Sequence, residues 1–174
     1  MSKRYPSYKS SGVEWIGEIP AHWELRKLSR SFERIGSGTT PSVDNRSYYE
    51  GGTINWVNTG DLNDTFLTDT ARRVTDIALH EHSALRIFPA GSVVMAMYGA
   101  TIGKLSMLGI PACTNQACCV LTRSDYFDNK YLFYWLATNR QHIISMAYGG
   151  GQPNISQELV KSHAHLQEIK AFKY

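Results

Sequence analysis

No apolar run in this chain approaches the ~18 residues that a membrane-spanning helix needs. The N-terminus carries Lys3 and Arg4 with no apolar stretch behind them, which excludes the pattern of a secretion signal. Cysteine is scarce, and the three present, Cys113, Cys118 and Cys119, are odd in number. Two of them are adjacent inside a predicted strand, where neighbours point to opposite faces. That arrangement suits packing better than a zinc site and implies reduced thiols in the cytoplasm. Charge is also modest: charged residues make up 19% and the net charge is +3, with a pI near 8.7. A dedicated nucleic-acid domain often exceeds pI ~9, so bulk charge permits nucleic-acid binding without arguing for it.

Catalytic signatures are missing as well. No Gly-x-Gly-x-x-Gly follows a strand, which removes the dinucleotide and methyl-donor fingerprint of that kind. There is no Asn-Pro-Pro-Tyr-like stretch of the sort an amino-methyltransferase resembling the familiar ones carries, no Gly-x-Ser-x-Gly elbow and no His-x-x-x-His pair. Gly99-Ala-Thr-Ile-Gly103-Lys104-Leu105 imitates a phosphate-binding P-loop and fails on spacing. It has three residues between the glycines where four are needed, and Leu105 stands where Ser or Thr would reach a metal. No helix pattern follows it. His80 and His82, like His163 and His165, are two apart, which puts neither pair on one helical face, and they read as surface or packing residues. No cofactor and no metal are expected.

What is present centres on Gly91 to Leu121. Ser92 to Tyr98 is apolar and partly β-branched, Lys104 to Leu108 follows as a second strand, and Ala117 to Leu121 as a third. This predicts an antiparallel meander whose bends gather Thr101, Lys104, Thr114, Asn115 and Gln116. Within 174 residues, enough for one domain that buries ~70% of its unfolded surface, other segments frame it. Met1 to Gly12 reads as an extended polar arm. Trp15, Ile16, Ile19 and Trp23 belong on a core, while Gly17 and Pro20 forbid a continuous helix. Trp23 to Leu28 alternates like a strand. Arg34 to Ser42 is a loop of small residues and hydroxyls, suited to approach a phosphate and equally to make a plain turn. Ile54 to Val57 is a short strand running into the polar turn Asn58 to Asn63, and Thr75 is placed to cap a helix.

Asn129 to Ala147 carries Leu132, Trp135, Leu136, Ile143, Met146 and Ala147 at helical spacing, with Asp128 as its cap. Gly149-Gly-Gly151 ends it. Gln152-Pro153-Asn154-Ile155-Ser156 follows, in which either Asn154 or Ser156 caps a helix through Gln157 to Val160. Gln and Asn are the side chains that pair bidentately with adenine; a glycine-rich linker with a helix cap accounts for the same residues.

Taken in order, five segments resemble the specificity subunits of type I restriction–modification systems. They are Tyr5 to Trp23, Ile35-Gly-Ser-Gly38-Thr-Thr-Pro41-Ser, Trp56-Val-Asn-Thr-Gly60-Asp-Leu62, Met97-Tyr-Gly-Ala-Thr-Ile-Gly103-Lys and Gly150-Gly-Gln-Pro-Asn154-Ile-Ser-Gln157. Five in register, from about Tyr5 to about Ser162, are specific where one would be weak. The resemblance implies one target-recognition domain of the two in a full subunit, each reading half of a split DNA sequence. It also implies long helices that dock methylation subunits, and restriction subunits with ATP-dependent translocation in the same assembly. After this segment the family runs through a proline-rich stretch into a long helix. Ser162 to Tyr174 has no proline, which reads as a truncated or frame-altered subunit whose assembly with partners is in doubt.

The expectation is therefore an α+β fold, a curved and mainly antiparallel sheet with packed helices. It comprises an N-terminal arm at 1–20, a DNA target-recognition domain at 21–160 and a truncated tail at 161–174. The function expected is non-catalytic recognition of a double-stranded DNA half-site, with methylation and restriction subunits and a second half-subunit as partners and no membrane. Competing readings are a protein-binding module or remnant of the same fold that has lost DNA affinity, and, more distantly, a methyltransferase. DNA-face candidates are Ser37, Thr39, Thr40, Asn58, Asp61, Tyr98, Thr101, Lys104, Asn115, Gln116, Gln152 and Asn154. They sit in loops because rigid strands present loops for binding. The missing motifs predict that the purified chain transfers no methyl group, cleaves no DNA and hydrolyses no ATP; assays with labelled methyl donor, plasmid and ATP check this, and turnover that co-purifies with the chain overturns it.

Overall fold

The computed structural model describes residues 5–147, 154–163 and 165–167. Strands β1 (Tyr8–Ser10) and β2 (Glu18–Pro20) pair antiparallel, and Trp15 between them packs on Trp135 and His142. The alternation from Trp23 gives a strand only at β3 (Leu25–Lys27), after which buried Leu28 enters a 3-10 turn. β4 (Ile35–Gly36), β5 (Ile54–Val57), β6 (Phe66–Leu67) and β7 (Arg72–Val74) follow. Helix α1 (Asp76–Glu81) begins at Thr75, whose hydroxyl accepts from the Ala78 N–H as its sequence position implied.

The stretch expected to organise the chain does so. β8 (Val93–Ala96), β9 (Leu105–Leu108) and β11 (Cys118–Leu121) are buried throughout. They form the middle of a five-stranded sheet of order β4-β11-β8-β9-β6, antiparallel except where β6 joins β9. The meander expectation is corrected here. The third strand pairs with the first, Leu121 opposite Val93, instead of continuing beyond the second. The free edge of β9 is occupied by β6. Between β9 and β11 the chain leaves this sheet to place β10 (Cys113–Thr114) parallel to β5, in a second sheet of order β10-β5-β7. It then re-enters on the far side of β8.

Strand periodicity sorts the core. Val93, Met95, Met97, Leu105, Met107, Cys119 and Leu121 face one way, onto the helices through Leu132, Leu136, Ile143 and Val160 and onto Ile155. Val94, Ala96, Leu108, Cys118 and Val120 face the other way, onto Val57, Leu62, Leu67, Phe88 and Ala112. Each such side chain withdrawn from water stabilises the fold by about 1.5–3 kcal/mol. The adjacent cysteines point to opposite faces as expected, and burial pushes the thiols of Cys113, Cys118 and Cys119 up to about 12. All three are free. A third cluster, with Trp56, Val74, Ala78, Leu85 and Cys113, joins the outer face of the second sheet to α1.

The apolar stripe from Asn129 forms two helices rather than one, α2 (Asn129–Thr138) and α3 (Arg140–Met146). The break has a local cause: Thr138 Oγ1 donates to the Tyr134 carbonyl at 2.9 Å and Asn139 Nδ2 to the Trp135 carbonyl at 2.9 Å. Consecutive side chains competing for carbonyls four residues back bend a helix. Asp128 caps α2 by accepting from the Lys130 N–H. Asn129 Nδ2 staples the start of α2 to the sheet, donating to the carbonyls of Gly91 and Thr122. Helix α4 (Gln157–His163) is followed by β12 (His165–Gln167), which pairs with β3. Of the two cap candidates, Ser156 is the one used: its Oγ accepts from the Leu159 N–H at 3.0 Å. Gly149 to Gly151, Gln152 and Pro153 lie outside the described residues.

Asp64 ties the turn region of β8 and β9 to α3. It takes a positive φ of 63°, accepts from the Leu105 N–H at 3.0 Å and receives both terminal nitrogens of Arg140, one at 3.2 Å. Partial burial pushes the Asp64 carboxyl up, but Arg140, the Leu105 N–H and Lys104 outweigh it and hold it below its ordinary value. A lowered folded-state pKa adds stability above the unfolded value of ~3.9 and loses it as pH falls through the folded one. Asp64→Asn keeps a residue that tolerates positive φ. The melting temperature of the variant should lie below that of the parent at pH 5–7, and the gap should close as pH falls below about 4; a gap independent of pH rejects the ion pair as its cause.

Candidate nucleic-acid interface

β4 and β8 run toward one end of the central sheet, and β9 and β11 start from it. β5 and β10 of the second sheet finish at the same end, since Asn115 N–H donates to the Val57 carbonyl at 3.0 Å. The loops that leave these strands, 37–45, 58–65, 97–104 and 115–117, therefore converge, and eleven of the twelve candidates fall within them or beside them.

The first loop is held by its backbone. Gly38 N–H donates to Thr114 Oγ1 at 3.0 Å. A Cβ on Gly38 would stand 1.8 Å from the Thr114 carbonyl oxygen, so only glycine fits. Trp56 Nε1 donates to the Thr39 carbonyl at 3.2 Å and Tyr49 Oη to the Pro41 carbonyl at 2.6 Å. Two loop carbonyls thus turn inward, one onto Trp56 of the second sheet and one onto Tyr49, whose ring packs on Trp56. Ser37 Oγ accepts from Gln157 Nε2 at 2.7 Å, which links the loop to the first turn of α4. Thr40 is exposed and its hydroxyl donates to Gln116 Oε1 at 2.7 Å.

The second and fourth loops lock each other. Asp61 accepts from the N–H groups of Asn58 at 2.8 Å and Ala71 at 3.1 Å. Asn115 Nδ2 donates to Asn58 Oδ1 at 3.2 Å, and Asn115 Oδ1 accepts from the Ala117 N–H at 3.0 Å. Tyr98 and Asn154 form an antiparallel bridge beside them, with Ile155 N–H donating to the Met97 carbonyl at 2.7 Å and Met97 N–H to the Ala117 carbonyl at 2.8 Å. The structure thus brings Ser37, Thr39, Thr40, Asn58, Asp61, Asn115, Gln116, Tyr98 and Asn154 together.

Thr101 and Lys104 stand apart, in the turn against α3. Gly99 and Gly103 take φ of 80° and 77° there, and a Cβ on Gly103 would press on Ile144 and Arg140. Among the described residues no hydrogen bond joins either side chain to the cluster. The turn leads into a strand, not a helix, as the failed P-loop spacing implied. Gln152 lies outside the described residues.

Sequence reasoning missed three members. Gln157 gave no signal beyond its place at a helix start. Thr114 is polar in the sequence, but its contact with Gly38 spans 76 positions. Arg72 carries no motif that marks it. It is exposed on edge strand β7, opposite Trp56, and its charge acts on Tyr49, whose hydroxyl burial pushes up and Arg72 pulls down. Groups of three or more His, Cys, Asp and Glu able to hold a metal are absent among the described residues.

Residues 20–164 match the family model described as type I restriction modification DNA specificity domain. The specificity subunit of the MjaIX type I restriction enzyme of Methanocaldococcus jannaschii is 28% identical over 151 residues, covering 84% of this chain and 34% of that protein. The EcoR124I/EcoR124II specificity subunit of Escherichia coli is 24% identical over 146 residues, covering 81% and 33%. The chain spans about a third of the length of these relatives. The crystal structure of the HsdS subunit from Thermoanaerobacter tengcongensis superposes with a TM-score of 0.63 at 16% identity, covering 92% of this chain and 36% of that one. A structure described as the basis of complex assembly and conformational transition of the type I R-M system gives 0.67 at 17%, with the same coverage. At these identities the superpositions establish a shared fold.

Gly38→Ala tests how the loops are held. The clash with the Thr114 backbone should cost about 1–3 kcal/mol or more, whereas Gly36→Ala, whose Cβ would meet Phe88 at an ordinary 3.9 Å, should leave stability nearly unchanged. Denaturant melts of the two variants check this, and equal stabilities reject the close approach.

Proposed function

The chain belongs to the type I restriction–modification DNA specificity family, and from that membership we propose that it recognises a short sequence in double-stranded DNA. The recognition domain spans 21–160, between an arm at 1–20 and a tail at 161–174. The observation that carries the proposal is the convergence of four polar loops at one end of a rigid sheet, within the region matched to the family. Such loops present donors and acceptors to base edges, while cations beside them contact phosphates. Lys104 and Arg72 are exposed cations beside these loops, and they take the phosphate role.

Of the candidates, Thr40, Gln116 and Asn154 are exposed and face DNA. Ser37, Thr39, Asn58, Asp61 and Asn115 are half-buried and hold the loops in shape. Tyr98 completes the surface beside Asn154, and Thr101 and Gln152 remain as further proposed contacts. The chain works in the cytoplasm as a non-catalytic subunit, in an assembly with methylation and restriction subunits and a second recognition half. This fits the specificity subunits it resembles, and it fits a chain without a Gly-x-Gly-x-x-Gly, P-loop or Gly-x-Ser-x-Gly motif.

A gel-shift against random duplex DNA, followed by selection of bound sequences, tests the proposal. A preferred sequence should emerge. With a net charge of only +3, few phosphates are neutralised, so log affinity should fall linearly with log salt at about −0.9 per phosphate contacted. Binding to duplex that ignores salt, or the absence of any preferred sequence, rejects it.

A further inference from the structure

Once internal hydrogen bonds are assigned, the loop cluster leaves few groups with which to read a base. Both oxygens of Asp61 are engaged. Asn115 uses its amide nitrogen on Asn58 and its amide oxygen on Ala117. Asn58 accepts from Asn115 and donates to the Trp56 carbonyl at 3.4 Å. Gln116 is different. It is exposed, and among the described residues only its oxygen is engaged, by Thr40, while its amide nitrogen keeps both hydrogens free.

Its backbone is fixed on both sides. Asn115 N–H donates to the Val57 carbonyl, Cys118 N–H to the Asn115 carbonyl, and Met97 N–H to the Ala117 carbonyl. Gln116 is therefore the tip of a turn pinned by both sheets, and its head group is held by a second loop that Trp56 and Tyr49 anchor in turn. A long side chain held in one orientation before binding loses less entropy when it binds. Asn154 is also exposed, but no hydrogen bond among the described residues holds its side chain.

We propose that Gln116 reads an adenine in the major groove and that Thr40 is the residue that positions it; this rests on the DNA-recognition reading above. Adenine presents an N6 donor beside an N7 acceptor, which a glutamine amide meets with one oxygen and one N–H. The oxygen of Gln116 has a second lone pair beyond the one Thr40 uses, so it accepts from N6 while its nitrogen donates to N7. Guanine presents two acceptors at the same edge and would set its O6 against the amide oxygen. Thr40 fixes which edge of the amide faces outward.

The test is selection of bound sequences from a random duplex library by the full chain and four variants, with thermal melting of each. The parent chain should show one position where adenine is preferred by about 5- to 150-fold, the ratio that one bidentate contact gives. Gln116→Ala should flatten that position alone. Gln116→Glu, which only accepts, should move it to cytosine, whose N4 donates. Thr40→Val should weaken the same position and Thr40→Ser restore it, with melting temperatures unchanged. If the parent selects a sequence and both Gln116 variants select the same one, the assignment is wrong and DNA recognition stands. A Thr40→Val variant that melts lower and keeps the position sharp removes the positioning role. A parent chain that selects nothing removes both readings. Should Gln116→Ala melt lower, Gln116→Glu, which retains the bond from Thr40, decides the assignment by the base it selects.

Discussion

The central sheet is buried on both faces, and that constraint shapes everything placed around it. β8, β9 and β11 must satisfy two cores at once, one under the helices and one under the second sheet. A slip of one residue in any of them would exchange the two sets of side chains. Val93 and Met95 would meet the small space beneath Phe88 and Ala112, and Val94 and Ala96 would underfill the cavity against Leu132 and Leu136. Register is thereby fixed, and with it the end of the sheet from which the loops emerge. The precision of the polar surface is inherited from apolar packing behind it.

The polar network at that end depends on two kinds of restraint. Backbone groups are satisfied by aromatic anchors and by Thr114, while amide side chains satisfy one another. A partly buried network of this sort is stable when its members are paired and costly when one is removed. It separates residues that hold the surface from those that the surface presents. Asn58 and Asn115 look equivalent to Gln116 in composition, yet their hydrogen-bonding capacity is directed into the protein.

Much of this architecture was legible in the sequence because it rests on local periodicity. The two-residue alternation of Ser92 to Tyr98, the opposite facing of Cys118 and Cys119, and the caps at Thr75 and Asp128 all follow from neighbours in the chain. The strand order did not, because pairing β11 with β8 depends on β6 occupying the far edge of β9, forty residues earlier. Nor did the break at Asn139, where apolar spacing continued but two side chains competed for helix carbonyls. Among the site residues, loop membership was readable from polarity and glycine content. What each side chain does was not, since the partners of Thr40, Ser37 and Gly38 lie 76 to 120 positions away.

The three buried thiols have a practical meaning for chemistry done on this protein. With pKa values pushed up to about 12, roughly one in ten thousand of each is thiolate at pH 8, against roughly a quarter of an ordinary exposed cysteine. Alkylating reagents and disulfide probes act on the thiolate, so the native cysteines are silent toward them while the fold is intact. A single cysteine introduced on the loop surface would then be the one reactive handle, allowing a fluorophore or cross-linker to be attached there without removing any native residue.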